Sequence, residues 1–165
     1  MVRGMEIREY APADWPQVWP IIEEVVRAGD TFMYDPAMTQ EQARGSWIES
    51  PPGLTIVAVD GGTVTGTAKM GPNYPPPGAH VSSASFMVAA SGRGQGTGRA
   101  LVEYAVDWAK RHDYAGMQFN AVAASNEYAV RLYERLGFEV IGTVPGAFAH
   151  PRLGRVGLHI MYLGF

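Results

Sequence analysis

The chain has 165 residues, of which 47% are hydrophobic and 18% charged, and this composition excludes disorder as its dominant state. It contains no cysteine, which excludes a disulfide framework, a thiolate metal site and a cysteine nucleophile. Thirteen basic and sixteen acidic residues give a net charge of −3, so nucleic acid is not expected as a partner.

The length fits one domain spanning residues 1–165. No run of eighteen apolar residues occurs, so no membrane-spanning helix and no membrane partner are expected. Residues 1–10 carry scattered charges around no apolar core, which is not typical of a signal peptide. Together these features predict a cytoplasmic protein.

The first fifty residues are predicted to form one strand and two helices. Met5–Glu9 alternates weakly between apolar and polar residues, which is typical of a strand. The segment Asp14–Gly29 begins with Asp14, a suitable N-cap residue, and Pro20 is expected to kink this helix or to delay its start. Thr39–Glu49 opens with a capping box, which predicts the second helix.

Three strands are predicted in the middle of the chain. Leu54–Val59 and Thr63–Met70 are joined by Asp60–Gly62, a sequence typical of a hairpin turn. The proline-rich segment Pro72–Gly78 is predicted to be a loop, because prolines disrupt both strands and helices. The third strand of this group is His80–Val88.

The remaining elements alternate between helix and strand. Apolar residues recur at helical spacing over Leu101–Trp108 and again over Ala129–Leu136. Strands are predicted over Met117–Val122, Phe138–Val144 and Val156–Leu163. The order β-α-α-β-β-β-α-β-α-β-β predicts an α/β domain with a mixed sheet and helices on its faces.

A glycine-rich turn connects the strand ending at Val88 with the following helix. Glycines occupy every second position from Gly92 to Gly98. The first N–H groups of a helix are free to bind an anion, and glycines let a phosphate reach the backbone. The turn lacks the lysine of a Walker A loop and the spacing of a dinucleotide fingerprint. The sequence therefore favours a different phosphate ligand, and a merely flexible turn is the alternative.

Two segments resemble one known family. Arg93-x-x-Gly96-x-Gly98 resembles the [Q/R]-x-x-G-x-[G/A] signature of the GNAT superfamily of N-acetyltransferases, in which it binds the pyrophosphate of acetyl-coenzyme A (acetyl-CoA). Asn126–Phe138 resembles that family's N-x-x-A-x-x-L-Y-x-x-L-G-F helix. The resemblance implies a GNAT-like fold with a splayed central strand pair, acetyl-CoA as co-substrate, and no metal.

The resemblance also implies roles for individual residues. The backbone N–H of Val88 would stabilise the oxyanion, and Tyr133 would protonate the departing thiolate. A buried tyrosine that only packs is the alternative for Tyr133, and a helix N-cap is the alternative for Asn126. The implied coenzyme-binding residues are Phe86, Met87, Val88, Arg93, Gly94, Gln95, Gly96, Thr97, Gly98, Arg99 and Asn126.

Four residues are expected near the acceptor. The pattern Phe-Asn-x-x-x-x-x-Asn, which ends at Asn126, resembles the branch that includes proline-analogue acetyltransferases. In that branch Asn120 would face the acceptor, and Ser83 stands where some members carry an asparagine. Tyr34 and Phe148 are expected to close the acceptor pocket. The alternative for Asn120 is a residue at the end of a strand whose side chain hydrogen-bonds the backbone.

No general base is evident in the sequence. His80 and His150 are the histidines considered for contact with the acceptor, and His150 is expected in a loop over Pro145–Arg155. Water is the alternative acceptor of the proton from the amine.

The predicted function is transfer of an acetyl group from acetyl-CoA to the amine of a small molecule, by direct attack in a ternary complex. A covalent enzyme intermediate is disfavoured, because the chain has no cysteine and no evident serine–histidine pair. One alternative is a non-catalytic regulatory module that binds acyl-CoA. Another is an acetyltransferase that acts on a protein or peptide amine. The resemblance leaves a homodimer open.

Overall fold

The helices and strands follow one another in the predicted order. The computed structural model describes residues 4–165, so the first three residues of the predicted 1–165 domain lie outside it. The strands are β1 (Met5–Glu9), β2 (Leu54–Asp60), β3 (Thr63–Pro72), β4 (Val81–Val88), β5 (Gly116–Ala123), β6 (Glu139–His150) and β7 (Gly154–Gly164). The α-helices are α1 (Trp15–Ala28), α2 (Gln40–Trp47), α3 (Thr97–Arg111) and α4 (Glu127–Arg135). The predicted α/β class is confirmed.

All strands belong to one mixed sheet in the order β1-β2-β3-β4-β5-β7-β6. Neighbouring strands are antiparallel except β4 and β5, which are parallel. These two pair only at Val81 with Gly116 and at Ser82 with Met117. Beyond that point β4 and β5 separate, which confirms the predicted splayed central pair and leaves backbone groups of β4 without a strand partner.

Helices cover both faces of the sheet, and each face has its own apolar core. Val18 and Ile22 of α1 and Trp47 of α2 pack with buried residues of β2 to β4. Leu101 of α3 and Leu132 of α4 belong to a second core on the opposite face. Among residues 4–165, no helix has the length and hydropathy that crossing a membrane requires.

The helix α1 departs from the prediction at its first residues. It begins at Trp15 and includes Pro20, so the proline does not delay its start. The predicted side-chain cap by Asp14 is wrong, because both carboxylate oxygens are engaged elsewhere. They accept two hydrogen bonds from the Arg8 guanidinium, each 2.8 Å, and one from the Ala11 N–H at 2.8 Å. Asp14 therefore joins β1 to the start of α1.

The pairing of Arg8 with Asp14 predicts that replacing Asp14 lowers the stability of the protein by an amount that depends on pH. The hydrogen bond from Arg8 lowers the pKa of Asp14, and the Ala11 N–H adds to the effect. A lowered folded-state pKa gives stabilisation that is full above the unfolded pKa, about 4, and is lost as pH falls through the folded value. Asp14→Asn should lower the free energy of unfolding by about 1.5 kcal/mol at pH 7, the low end for a charged hydrogen bond because Arg8 is partly exposed.

Urea unfolding at several pH values measures this loss. The difference between wild type and Asp14→Asn should shrink as the pH falls below about 4. Asp107→Asn is the matched control, since Asp107 pairs with Arg111 on the exposed surface of α3 and should contribute under about 0.5 kcal/mol. Equal losses in the two variants would show that Asp14 is an ordinary surface charge.

The last hairpin is longer than predicted. The expected loop over Pro145–Arg155 is wrong, because β6 continues to His150 and β7 begins at Gly154. A register shift between Val144 and Phe148 lets the strand pass Pro145, which has no N–H to donate. The connection is thus reduced to residues 151–153.

Candidate active site

A cavity of about 720 Å³ opens where β4 and β5 separate. It is lined by the end of α1 and the loop that follows, by β4 and β5, and by α4. Ten of the residues expected at the site line this cavity: Tyr34, Ser83, Phe86, Met87, Val88, Arg93, Gly98, Asn120, Asn126 and Tyr133. One space therefore brings the expected coenzyme and acceptor residues together.

The glycine-rich turn leads into α3 with left-handed backbone at two positions. Gly94 has φ +73° and Gly96, the residue before α3, has φ +79°. These values favour glycine. The first N–H groups of α3, like those of any helix, have no intrahelical partner. A smaller cavity of about 210 Å³ lies along this turn, lined in part by Gly94, Gly96, Thr97 and Gly98.

The other residues of the turn have different surroundings. Gly92 is buried, and a Cβ there would lie 2.7 Å from the Thr65 carbonyl oxygen, so close packing against β3 requires glycine. Arg93 lines both cavities and its Nη2 lies 3.4 Å from Glu24 Oε1. Arg99 pairs with Glu103 at 2.6 Å. Neither Arg99 nor Gln95 lines the two cavities.

The backbone of β4 presents a donor to the cavity at Val88. Its neighbour Ala89 donates its N–H to the Thr65 carbonyl of β3, at 2.8 Å. Successive N–H groups of a strand point in opposite directions, so the Val88 N–H is directed away from β3, toward β5. Because β5 has already separated from β4 there, this N–H faces the cavity.

The Tyr133 ring lies in an aromatic cluster at the cavity wall. Its centroid is 4.6 Å from that of Phe119, 6.0 Å from Phe138 and 6.3 Å from Phe86. Burial raises the pKa of Tyr133 above its ordinary value of about 10, so the hydroxyl is protonated at neutral pH. No group among residues 4–165 hydrogen-bonds this hydroxyl, which leaves its proton available to a bound molecule.

The position of Asn126 is compatible with both roles considered for it, the helix N-cap and the contact with the coenzyme. Its Oδ1 accepts the Ala129 N–H at 3.4 Å, so it caps α4. It also lines the large cavity. The amide nitrogen of Asn126 is therefore the part left for a ligand.

The expected acceptor residues are only partly brought together. Tyr34, Ser83 and Asn120 line the cavity, whereas Phe148 is buried on β6 and does not. His150 is also absent from the lining. Its Nδ1 accepts the N–H groups of residues 152 and 153, each at 3.1 Å, so this ring orders the turn after β6.

Several cavity residues were not found by sequence reasoning. The loop after α1 contributes Phe32, whose ring stacks on that of the expected Tyr34 with a centroid distance of 5.9 Å. Tyr128 is 66% exposed and lines both cavities, and an aromatic residue on the first turn of α4 was the available signal. His80, by contrast, does not line the cavity. Within residues 4–165, no group of three histidine, aspartate or glutamate side chains is placed to hold a metal ion.

Comparison with known proteins identifies the class to which this fold and cavity belong. Residues 7–138 match the model of the Acetyltransferase (GNAT) family. The chain is 30% identical over 137 residues to N-acetyltransferase aca1 of Schizosaccharomyces pombe, with 74% of this chain and 66% of that protein covered. The chain thus spans about two thirds of the length of that relative.

Two solved structures are similar over nearly their whole length. A GCN5-related N-acetyltransferase from Kribbella flavida is 53% identical with a TM-score of 0.95, and 98% of each chain is covered. The yncA protein from Salmonella typhimurium, solved with its cofactor acetyl-CoA, is 25% identical with a TM-score of 0.82, covering 98% of this chain and 94% of that one. The chain belongs to the GNAT acetyltransferase family. The predicted class, an acetyl-CoA-dependent acyltransferase, is confirmed.

Proposed function

We propose that the protein transfers an acetyl group from acetyl-CoA to the amine of a small molecule, by direct attack in a ternary complex. The single observation that carries this proposal is the continuous space between the splayed strands. It runs from Arg93 and Gly98 at the glycine-rich turn to Tyr133, and it includes Tyr34 and Asn120 at the acceptor end. A donor and an acceptor can therefore meet inside one cavity.

The coenzyme is proposed to lie along the turn and β4. Its pyrophosphate would bind the free N–H groups at the start of α3, where the helix dipole favours an anion. The pantetheine arm would pair with the β4 backbone that β5 leaves unpaired. The residues proposed for these contacts are Phe86, Met87, Val88, Arg93, Gly94, Gln95, Gly96, Thr97, Gly98, Arg99 and Asn126.

The reaction needs an oxyanion donor and a general acid. The neutral amine attacks the thioester carbonyl, and the Val88 N–H would stabilise the negative charge that develops on its oxygen. The C–S bond then breaks, and the Tyr133 hydroxyl would give its proton to the thiolate. The amine nitrogen loses its proton to water, since neither His80 nor His150 lines the cavity.

A small acceptor is supported by the loop between α1 and α2. Its residues Asp30 to Tyr34 line the cavity together with Ser83 and Asn120. A protein or peptide amine would instead need a groove that a main chain can cross. Ser83 and Asn120 remain the proposed acceptor contacts, together with Tyr34.

A two-stage experiment tests the function. Calorimetry measures acetyl-CoA binding, and a thiol-release assay then screens amino acids, amines and lysine-containing peptides as acceptors. Transfer to a small amine supports the proposal, whereas transfer to peptides alone would move the activity to protein amines. Binding without any transfer would favour the regulatory module. The cytoplasmic location stays a prediction that cell fractionation tests, and gel filtration decides between monomer and homodimer.

Gly98→Ala is expected to weaken acetyl-CoA binding about tenfold, which corresponds to about 1.4 kcal/mol. The added Cβ would lie 3.7 Å from a Val88 methyl and 3.8 Å from a Leu132 methyl, so the fold accommodates it. It would nevertheless occupy space where the coenzyme is proposed to approach the backbone. Gly45→Ala on α2 is the control, because its Cβ meets nothing within 4 Å. Calorimetric dissociation constants that agree for both variants would contradict the placement.

A further inference from the structure

Three side-chain amides form a closed hydrogen-bonded set at the acceptor end of the cavity. Asn73 follows β3, and Gln118 and Asn120 lie on β5. Asn73 Nδ2 donates to Asn120 Oδ1 at 3.1 Å, and Asn120 Nδ2 donates back to Asn73 Oδ1 at 2.7 Å. Gln118 Nε2 donates to Asn120 Oδ1 at 2.9 Å. Asn120 is the member of this set that lines the cavity.

The oxygen and the nitrogen of the Asn120 amide differ in how many of their hydrogen bonds are already formed within the protein. An amide oxygen accepts two hydrogen bonds and an amide nitrogen donates two. Both lone pairs of Asn120 Oδ1 are occupied, by Asn73 and by Gln118. Only one N–H of Asn120 is occupied, by Asn73. Asn120 therefore has one donor and no acceptor left for a molecule in the cavity.

We propose that Asn73 and Gln118 are positioning residues that fix the polarity of the Asn120 amide. This inference rests on the proposed function. With its oxygen occupied, Asn120 cannot accept an N–H from the attacking amine. Its remaining N–H instead recognises a hydrogen-bond-accepting oxygen on the acceptor, at a position separate from the reacting nitrogen. Asn73 is brought to this site from the segment after β3, 47 residues away in sequence.

The charged residues of the cavity lining do not compete with this donor. The charged residues that line the cavity are Glu24, Asp30 and Arg93. Arg93 is directed to Glu24, at 3.4 Å, beside the glycine-rich turn. Asp30 is an acceptor and lies 3.9 Å from Arg152. An uncharged oxygen on the acceptor, such as that of a carboxamide, is thus matched by Asn120.

The test compares amines with and without that oxygen. Amino-acid N,N-dimethylamides, whose carboxamide accepts hydrogen bonds but has no N–H to donate, and the matching amines without the carboxamide group are assayed by thiol release. Wild type should prefer the carboxamide in kcat/KM by at least about fivefold, the range of one hydrogen bond. Asn73→Ala and Gln118→Leu should reduce the preference to about twofold, mainly through KM. Asn120→Asp replaces the free N–H by an anionic oxygen and should reverse the preference.

A matched control separates positioning from folding. Gln17 also uses both ends of its amide, on the Gly62 carbonyl at 3.4 Å and the Val64 N–H at 2.9 Å, outside the cavity. Gln17→Ala should keep the wild-type preference, and thermal unfolding checks every variant. Transfer without a preference in wild type, or a preference unchanged in Asn73→Ala and Asn120→Asp, overturns this inference alone. Absence of transfer to any amine overturns the proposed function and this inference with it.

Discussion

Replacing Tyr133 with phenylalanine is expected to lower kcat by a factor of about 10² to 10⁴, the usual contribution of general acid catalysis. The ring and its contacts with Phe119 and Phe138 are kept, and only the hydroxyl is removed. Binding of acetyl-CoA should change by about 1 kcal/mol or less, because a neutral hydroxyl contributes little to a ground-state contact. Single-turnover kinetics on an identified acceptor measures the chemical step without interference from product release.

A second tyrosine provides the control for this experiment. Tyr114 packs against Trp108 with a centroid distance of 5.4 Å, and burial raises its pKa as well. It does not line the cavity, so Tyr114→Phe should leave kcat unchanged. A wild-type chemical rate in Tyr133→Phe would return Tyr133 to a packing role.

The raised pKa of Tyr133 also predicts the alkaline side of the pH profile. A group whose pKa lies above its ordinary value of about 10 keeps its proton up to at least that pH. Acid catalysis by Tyr133 therefore should not decline between pH 7 and about pH 10. A fall in the single-turnover rate with an apparent pKa below 10 that is present in wild type and absent from Tyr133→Phe would contradict this assignment.

Val88→Pro is expected to lower kcat by about 10² to 10³, the range for loss of one oxyanion donor. Proline removes the N–H that faces the cavity, and no hydrogen bond between β3 and β4 is lost, because that N–H is directed away from β3. Val88→Ala keeps the N–H and is the control for the side chain. Near-wild-type kcat in the proline variant, with intact thermal unfolding, would remove Val88 from the mechanism.

The order of elements was predictable because it depends on local signals. The glycines before α3 allow left-handed φ values, and Thr39 caps α2 through its own first turn, with Oγ1 accepting the Gln42 N–H at 3.2 Å. These interactions connect residues only a few positions apart. The same local character explains why the sequence alone predicts an anion site at the glycine-rich turn.

Predictions failed where a distant or competing partner decided the outcome. Asp14 was expected to cap α1, but Arg8 and Ala11 occupy its carboxylate. His150 was expected in a loop near the acceptor, but β6 extends to it and its ring binds the following turn. In each case the residue type was suited to the predicted role, and the three-dimensional partner was not visible in the sequence.

The sequence by itself determined the family, the order of the elements and the residues at the glycine-rich turn, because helix starts, turns and motif spacing are properties of short segments. Only the tertiary structure decided what shares the cavity. It separates β4 from β5 so that Val88 and Tyr133 line one space, and it excludes Phe148 from that space. It also brings Asn73 to Asn120. Such placements depend on strand pairing and register across the whole sheet, and a periodic pattern along one segment does not specify them.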